Sequence, residues 1–260
     1  MTESNLALLI DGDNVSPKII AGLLAEITKY GTASVKRIYG DWTSPTMNSW
    51  KACLLDHSIT PIQQFAYTTG KNATDGAMII DAMDLLYTGR FKSFCLVSSD
   101  SDFTRLAARI REQGVTVYGF GERKTPNPLI AACDKFIYFD ALVARSDEVP
   151  FAAAPGYPKP GVASDILQKQ TIQKRPIDAR ALEGVRVAIS NAMEYEDGWA
   201  NLADVGAMLN KLSPDLHQRN YGYDKLRDFI EATGRVHLKS KPMGNHPPVI
   251  MVCLKDDDAA

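Results

Sequence analysis

Two apolar runs, far apart in this chain, each end on acidic residues. The first is Leu6–Ile10, which is followed by Asp11-Gly12-Asp13-Asn14, and the second is Phe94–Ser98, which is followed by Ser99-Asp100-Ser101-Asp102. An apolar run bounded by polar residues is typical of a strand that is buried on both faces, as in a parallel sheet. In open α/β sheets, ligands bind beyond the carboxyl ends of the strands, where the strand order reverses. If these two strands are neighbours at that point, their carboxylates form one acidic pocket.

Strands and helices alternate regularly in the first half of the chain. The predicted strands, which are short and rich in apolar residues, are Leu6–Ile10, Ser34–Tyr39, Ile59–Phe65, Phe94–Ser98, Val115–Phe120 and Phe136–Phe139. The pairs Ser16-Pro17 and Ser44-Pro45 predict the starts of two of the intervening helices, and Gly114 predicts the end of another. Alternation of this kind predicts an α/β fold built on a doubly wound parallel sheet.

The composition changes after the last of these strands. Prolines and glycines cluster around an alanine run, so we assign 1–146 to a first domain, 147–175 to a linker and 176–255 to a second domain. In the second domain we predict three helices and then two short strands, at Asp178 to about Tyr195, Asn201–Leu212, Tyr223–Ala232, Val236–Leu238 and Val249–Leu254. Three helices followed by a β-hairpin are typical of a small winged-helix domain.

The composition also argues against several classes of protein. The net charge is -2, so the chain has no overall basic field that would attract nucleic acid, although an acidic pocket can mask a local basic surface. The four cysteines are scattered without a CxxC pair, which argues against a zinc or dithiol site. The N-terminal segment does not resemble a signal peptide, and no apolar segment is long enough to cross a membrane. We therefore expect a reducing, cytoplasmic setting.

The acidic residues at the two strand ends also have simpler structural explanations. Asp100 or Asp102 can cap the helix that begins near Phe103. Asp11 and Asp13, on either side of a glycine, can belong to a tight turn. The repetition of the same acidic ending on two strands favours a shared site over these explanations.

A further carboxylate, Asp75, lies in the first turn of an apolar helix predicted for Thr74–Tyr87. It can interact favourably with the helix dipole, or it can be the third carboxylate of the pocket. Asp81 and Asp84 do not share its helix face, so we expect them to be polar surface residues or to form ion pairs. Asn14 either holds a carboxylate or satisfies the turn.

A pocket with several carboxylates suits a hard cation such as Mg²⁺ or Mn²⁺, because these ions prefer oxygen ligands. Such ions neutralise an anionic phosphodiester and stabilise its leaving oxygen. No serine, cysteine or histidine in the sequence shows the arrangement of a nucleophile beside a base. The residues therefore favour metal-dependent phosphodiester chemistry.

Three motifs in the first domain resemble the NYN family of PIN-like nucleases, in particular its LabA-like branch. They are Leu9-Ile10-Asp11-Gly12-Asp13-Asn14, Lys71-Asn72-Ala73-Thr74-Asp75 and Leu96-Val97-Ser98-Ser99-Asp100-Ser101-Asp102-Phe103. The resemblance covers roughly Asn5 to Asp140 and implies a PIN-like fold, divalent-metal binding and RNA cleavage. It also implies that the metal is held by Asp11, Asp75 and Asp100. Asp102 is then a further catalytic carboxylate, supported by Asp13 and Asn14.

The second domain resembles an OST-HTH/LOTUS module in two segments, Gly198–Gly206 and Tyr221–Phe229. This resemblance implies that the domain binds RNA or a protein partner. Cations and aromatic rings can bind phosphates and stack on unpaired bases. The residues that we predict to bind RNA are Lys71, Arg37, Arg123 and Lys124 in the first domain and Tyr223 and Lys225 in the second. Interleaved acidic residues leave open the alternative of an ordinary solvated surface.

The sequence favours a two-domain ribonuclease that cuts single-stranded RNA internally, because nothing in it suggests a pocket for an RNA end. Two alternatives stay open, as does the oligomeric state. The segment from Asp11 to Val15 also fits the opening motif of haloacid-dehalogenase-like phosphatases, in which the first aspartate is the nucleophile, but Asp75 then has no role. The other alternative is a regulatory protein that binds RNA without cleaving it.

Overall fold

The computed structural model describes residues 4–65, 73–146, 174–192, 198–243 and 246–255. The parallel strands described in the first domain are β1 Asn5–Asp11, β2 Thr32–Gly40, β3 Thr60–Gln63, β4 Ser93–Val97, β5 Thr116–Gly121 and β6 Lys135–Tyr138. They form one sheet in the order β3-β2-β1-β4-β5-β6. The predicted doubly wound parallel sheet is therefore confirmed, and its strand order reverses between β1 and β4.

The helices described in the first domain are α1 Ile20–Ile27, α2 Asn48–Leu54, α3 Ala73–Tyr87, α4 Thr104–Glu112, α5 Asn127–Ala131 and α6 Phe139–Ser146. Short 3-10 turns precede α1, α2 and α4. Ser16 and Ser44 cap the first two of these turns by accepting hydrogen bonds from backbone N–H groups. The helix starts predicted from the Ser-Pro pairs are thus confirmed, whereas α6 was not predicted.

β1 is buried on both faces, and this burial explains its continuous apolar sequence. Successive side chains of a strand point to opposite faces of the sheet. Ala7 and Leu9 pack in an apolar cluster with residues of α3 and α4, and Leu8 and Ile10 pack in a second cluster with residues of α1 and α2. The two clusters hold β1 from both sides, so its last residue, Asp11, has a defined position.

The second domain contains α7 Ala179–Ala192, α8 Leu202–Leu212 and α9 Leu226–Ala232, with an antiparallel sheet of β7 Ala200–Asn201, β8 Val236–Met243 and β9 His246–Leu254. The predicted helix start at Asp178 is confirmed, because its carboxylate accepts a hydrogen bond from the N–H of Ala181 at 2.8 Å. The prediction missed β7. It also began α9 too early, because a 3-10 turn at Gln218–Tyr221 ends at Gly222 with φ +79°.

The second domain lies against β6, at one edge of the sheet of the first domain. The N–H of Phe136 in β6 donates a hydrogen bond to the carbonyl of Pro214 at 2.9 Å. Of the predicted linker, Lys174 and Arg175 are within the described residues. In the part of the chain that the structure describes, no helix has the length and apolar character needed to span a membrane.

Candidate metal centre

The sheet topology brings the two acidic strand ends together. β1 and β4 are parallel neighbours, with Ile10 opposite Val97 in the register. Asp11 is the last residue of β1, and Asp100 follows the end of β4. The condition for a shared acidic pocket, that these two strands are neighbours where the strand order reverses, is therefore met.

Asp11 is buried, with 1% of its surface exposed. One carboxylate oxygen, Oδ2, accepts hydrogen bonds from the Ser98 hydroxyl at 2.7 Å and from the Asn14 side-chain amide at 3.0 Å. The other oxygen, Oδ1, is also buried and has no hydrogen-bond partner among the described residues. Burial raises the pKa of Asp11, and the hydrogen bonds from Ser98 and Asn14 oppose that rise.

Asp100 has both a structural role and a place in the site. Its Oδ1 accepts a hydrogen bond from the N–H of Asp102 at 2.9 Å, so Asp100 caps the 3-10 turn at Ser101–Phe103. Its own N–H donates to the Ser98 hydroxyl at 3.0 Å. The capping explanation thus holds for Asp100 rather than for Asp102. Ser98 joins the ends of β1 and β4, because it contacts both Asp11 and Asp100.

Asp75 projects from the first turn of α3 toward the same strand ends. One carboxylate oxygen from each of Asp75, Asp100 and Asp102 lies within 4.8 Å of the others. Asp75 is 7% exposed, and its pKa is raised to about 6, first by burial and then by the charges of Asp11, Asp100, Asp102 and Asp13. This crowding of carboxylates is what a bound cation would relieve.

Asp13 and Gly12 hold the neighbouring elements beside the site. The Thr74 hydroxyl donates a hydrogen bond to Asp13 Oδ2 at 2.8 Å, which ties the loop after β1 to the start of α3. Gly12 donates its N–H to the Tyr39 carbonyl at 2.8 Å, and a Cβ atom at this position would lie 2.8 Å from that same oxygen. Glycine is therefore required here by the close approach of β2.

The donor set fits a hard divalent cation. The ligand atoms are carboxylate oxygens, which Mg²⁺ and Mn²⁺ prefer. The buried Oδ1 of Asp11 has no hydrogen-bond partner among the described residues, although buried carboxylate oxygens normally have one. This oxygen lies beside carboxylates that converge at the ends of β1 and β4. Such an arrangement is what we expect of a site for a cation.

The residues predicted to bind RNA have different surroundings from one another. Arg37 forms an ion pair with Asp81, which confirms the ion-pair role expected for that aspartate. Lys124 pairs with Glu122 at 2.8 Å, and its side chain is 78% exposed. The guanidinium of Arg123 makes contacts at the boundary between the two domains, which are described below.

In the second domain, Lys225 is exposed, whereas Tyr223 is not. The ring of Tyr223 packs against Phe229 in the core, and the ammonium of Lys174 lies 4.9 Å from its centre. Tyr223 is therefore covered rather than presented for stacking. Lys71 lies outside the described residues.

Sequence reasoning missed two polar residues that hold the site together, Ser98 and Thr74. Both lie within the motifs that contain the predicted carboxylates, and this proximity was the signal that could have found them. For Ser98 the reason is clear, because a hydroxyl at the end of a buried strand has few possible partners except the side chains at the end of the neighbouring strand.

Two family models match the chain, the NYN domain over residues 5–142 and the OST-HTH/LOTUS domain over residues 180–248. No curated protein matches it. Among solved structures, the chain is similar to a protein of unknown function from Vibrio parahaemolyticus, with 20% identity and a TM-score of 0.45, covering 52% of this chain and 93% of that one. It is also similar to an uncharacterized protein from Nitrosomonas europaea, with 27% identity and a TM-score of 0.29, covering 37% of this chain and 91% of that one.

Proposed function

The chain belongs to the NYN domain family of PIN-like nucleases, and we propose that it is a divalent-metal-dependent endoribonuclease that hydrolyses single-stranded RNA. The resemblances predicted from the sequence, to this family and to the OST-HTH/LOTUS domain, are both confirmed. The OST-HTH/LOTUS domain is associated with RNA binding. This association favours RNA as the substrate.

The proposal is carried by the convergence of carboxylates at the ends of β1 and β4. Asp75, Asp100 and Asp102 meet there, and they are joined by Asp11, whose charge contributes to the raised pKa of Asp75. Asp11, Asp75 and Asp100 would hold one or two Mg²⁺ or Mn²⁺ ions, with Asp102 as a further carboxylate. When bound, such ions activate water and neutralise the phosphodiester.

The residues around the carboxylates orient them for this task. The Ser98 hydroxyl and the Asn14 amide occupy one oxygen of Asp11 and leave the other for a cation. Asp13 is supporting, because it binds Thr74 at the start of the helix that carries Asp75. These hydrogen bonds fix the carboxylates before the substrate arrives, which lowers the cost of ordering them.

The cluster favours this proposal over a haloacid-dehalogenase-like phosphatase. In that alternative Asp11 is a nucleophile, and Asp75 has no role. Yet Asp75 is buried at the start of α3 with its carboxylate in the cluster, where the other acidic groups raise its pKa. A buried group that is held at such a cost is expected to serve the site.

The experiment measures cleavage of a labelled circular single-stranded RNA in Mg²⁺ and in Mn²⁺, because a circle has no end for an exonuclease. The wild type is compared with an Asp11→Asn/Asp100→Asn double variant, in which the amide oxygens can still accept the hydrogen bonds of Ser98 and Asp102. A matched control, Asp84→Asn/Asp204→Asn, removes the same charge from two exposed positions.

We expect the wild type and the control variant to linearise the circle, and we expect no cleavage by the double variant or in EDTA. A linear RNA is tested in parallel. Cleavage of the linear RNA without cleavage of the circle would overturn the endonucleolytic part of the proposal. Equal behaviour of the wild type and the double variant on both RNAs would overturn the proposal. Hydrolysis of p-nitrophenyl phosphate that needs Asp11, without RNA cleavage, would favour the phosphatase. Tight RNA binding without cleavage would favour a regulatory protein.

A further inference from the structure

The buried side chain of Asn220 joins the second domain to the edge strand of the first. Its amide donates hydrogen bonds to the carbonyls of Phe136 and Asp215, both at 2.9 Å, and its oxygen accepts one from the N–H of Tyr138 at 3.0 Å. Asn220 thereby pairs with β6 much as a further strand would. The edge strand is covered by this contact rather than left open.

A polar network beside Asn220 makes this contact specific. The Tyr138 hydroxyl donates to the buried carboxylate of Asp215 at 3.0 Å, and the guanidinium of Arg180 donates two hydrogen bonds to the same carboxylate, at 2.9 Å and 3.0 Å. Such directional bonds define one orientation of the second domain against β6.

Arg123 extends the contact to the loop that follows β5. Its guanidinium donates to the carbonyl of Asn220 at 2.9 Å and to the carboxylate of Asp140 at 3.2 Å, and it lies 3.9 Å from the centre of the Tyr138 ring. Arg175, at the end of the predicted linker, pairs with the same Asp140. Arg123 is therefore held between the two domains by groups from both.

The same loop contacts the metal centre at its other end. The N–H of Glu122 donates to the Ser99 hydroxyl at 2.8 Å, directly beside Asp100. The N–H of Ser98 donates to the Phe120 carbonyl at 3.0 Å. A Cβ atom at Gly121 would lie 2.9 Å from the Ser98 carbonyl, so the loop and the Ser98–Asp100 segment are closely packed.

We propose that docking of the second domain positions the Ser98–Asp100 segment for metal binding. The effect of docking passes through residues 121–125, and Arg123 is the positioning residue that links this loop to the second domain. The connection is continuous, from Asn220 to Arg123, and from Glu122 to Ser99. This inference rests on the proposed function only for its metal-binding part. In this proposal, the guanidinium of Arg123 binds the second domain rather than a phosphate of RNA.

The loop has the stiffness that this role requires. Both the hydroxyl and the N–H of Thr125 donate to the Glu122 carbonyl, at 2.6 Å and 3.1 Å, so the loop is closed upon itself. Displacing one end of a closed, packed loop displaces the other, because close-packed interiors transmit strain. Loss of the Arg123 anchor then loosens the bond between Glu122 and Ser99.

The test compares Arg123→Ala, Arg123→Lys and Asn220→Ala with the full-length wild type. The matched control is Arg186→Ala, which removes a partly exposed arginine that pairs with Glu183 on its own helix. Two quantities are measured: the hydrogen-exchange rate of amides 98–103 in metal-free protein, and the affinity for Mn²⁺ by titration calorimetry. Exchange in α2 serves as the internal reference for global unfolding.

We expect Arg123→Ala and Asn220→Ala to raise the exchange rate of amides 98–103 at least fivefold without a matching change in α2. We expect both to weaken Mn²⁺ binding about fivefold to tenfold. The combined variant Arg123→Ala/Asn220→Ala should weaken Mn²⁺ binding no more than Arg123→Ala alone, because both residues act through one path. Arg123→Lys should recover part of the loss, since it keeps the charge but not the planar fork.

Unchanged exchange of amides 98–103 in both variants would overturn the proposal, and so would an equal rise in α2, because a general loss of stability then explains the effect. If Asn220→Ala does not fold, the two Arg123 variants decide the question alone. If the wild type binds no Mn²⁺, the proposed function fails and the exchange data still decide whether the second domain controls the segment.

Discussion

The metal centre and the contact between the domains both contain buried aspartates, but their electrostatic surroundings are opposite. At the contact, Asp215 accepts two hydrogen bonds from the guanidinium of Arg180 and one from the Tyr138 hydroxyl. At the metal centre, burial raises the pKa of Asp75, and the charges that raise it further are those of neighbouring carboxylates among the described residues. The first arrangement holds the fold together, whereas the second opposes folding of the metal-free protein.

Glu26 and Asp11 extend the comparison. Glu26 is buried on α1, and it accepts hydrogen bonds from the Lys29 ammonium and from the Tyr30 hydroxyl, with Arg219 of the second domain nearby. Asp11 is equally buried, but its hydrogen-bond donors are neutral, and one oxygen has no partner among the described residues. The surroundings of a buried carboxylate, rather than its burial alone, therefore separate a structural role from cation binding.

The largest effect is expected for Asp75→Asn. Removing one carboxylate should lower the RNA cleavage rate about 100-fold, which corresponds to about 2.7 kcal/mol. The same change should raise the free energy of unfolding of the metal-free protein at pH 7 by about 2 kcal/mol, because it relieves burial and repulsion of the charge. Cleavage assays and urea unfolding in EDTA measure the two quantities. Asp84→Asn, on the exposed face of the same helix, is the control, and a destabilised Asp75→Asn variant would contradict this account.

Asp215→Asn should act in the opposite direction on stability. The amide oxygen can still accept hydrogen bonds in place of one carboxylate oxygen, but the charge that pairs with Arg180 is lost, so the free energy of unfolding should fall by about 2 kcal/mol. Urea unfolding of the full-length protein measures this change. Glu183→Gln, in an exposed ion pair with Arg186, should alter stability by less than about 0.5 kcal/mol. Similar losses in the two variants would show that the contact at Asp215 is not structural.

The affinity for Mn²⁺ should depend on pH because Asp75 must lose its proton to bind the ion. With a pKa of about 6, lowering the pH from 7 to 5 should weaken binding about tenfold. Asp11 acts in the same direction, since its pKa is also raised. Calorimetric titrations at several pH values measure the dependence. Constant affinity between pH 5 and 7 would contradict the assigned role of Asp75.

The stability of the metal-free protein should show the reverse dependence. Because the pKa of Asp75 is higher in the folded state than the ordinary aspartate value of 3.8, the folded state holds a proton that the unfolded state has lost between about pH 4 and pH 6. The free energy of unfolding therefore falls as the pH rises through this interval. Asp75→Asn should flatten that part of the stability curve.

The smallest effect is expected for single cations at the surface. Lys124→Ala should weaken RNA binding twofold to threefold and reduce the salt slope by about 0.7, as expected for one phosphate contact of a single strand. Arg37→Ala should reduce the slope by less, because its guanidinium already pairs with Asp81. Fluorescence anisotropy with labelled RNA in EDTA measures both. A larger slope change for Arg37→Ala would reverse this ranking of the two cations.

The sheet and the acidic cluster were predictable because both follow from local patterns. Leu6–Ile10 is apolar at every position, which only a strand covered on both faces explains, and parallel strands place their carboxyl ends on one edge. Boundaries were less accurate where the start of a helix is a 3-10 turn, as after Ser16 and Ser44. α6 was missed because it follows β6 without an intervening turn.

The surroundings of the cations were not predictable in the same way. Arg37 and Arg123 look alike in sequence, yet one pairs with Asp81 and the other lies between two domains. Tyr223 looks like a stacking surface but packs against Phe229. Partners distant in sequence decide these outcomes, and a long flexible side chain has many partners within its reach.

Short stretches of residues encode strand burial and direction, so the sequence was enough to predict that carboxylates lie at the carboxyl ends of the strands in a parallel sheet. The pairing of charges, in contrast, follows from the three-dimensional fold. Pairing depends on contacts such as that of Arg219 with Glu26, which come from different domains. The interaction energy of two charges falls as the distance between them increases, and the sequence does not specify which charges are close together.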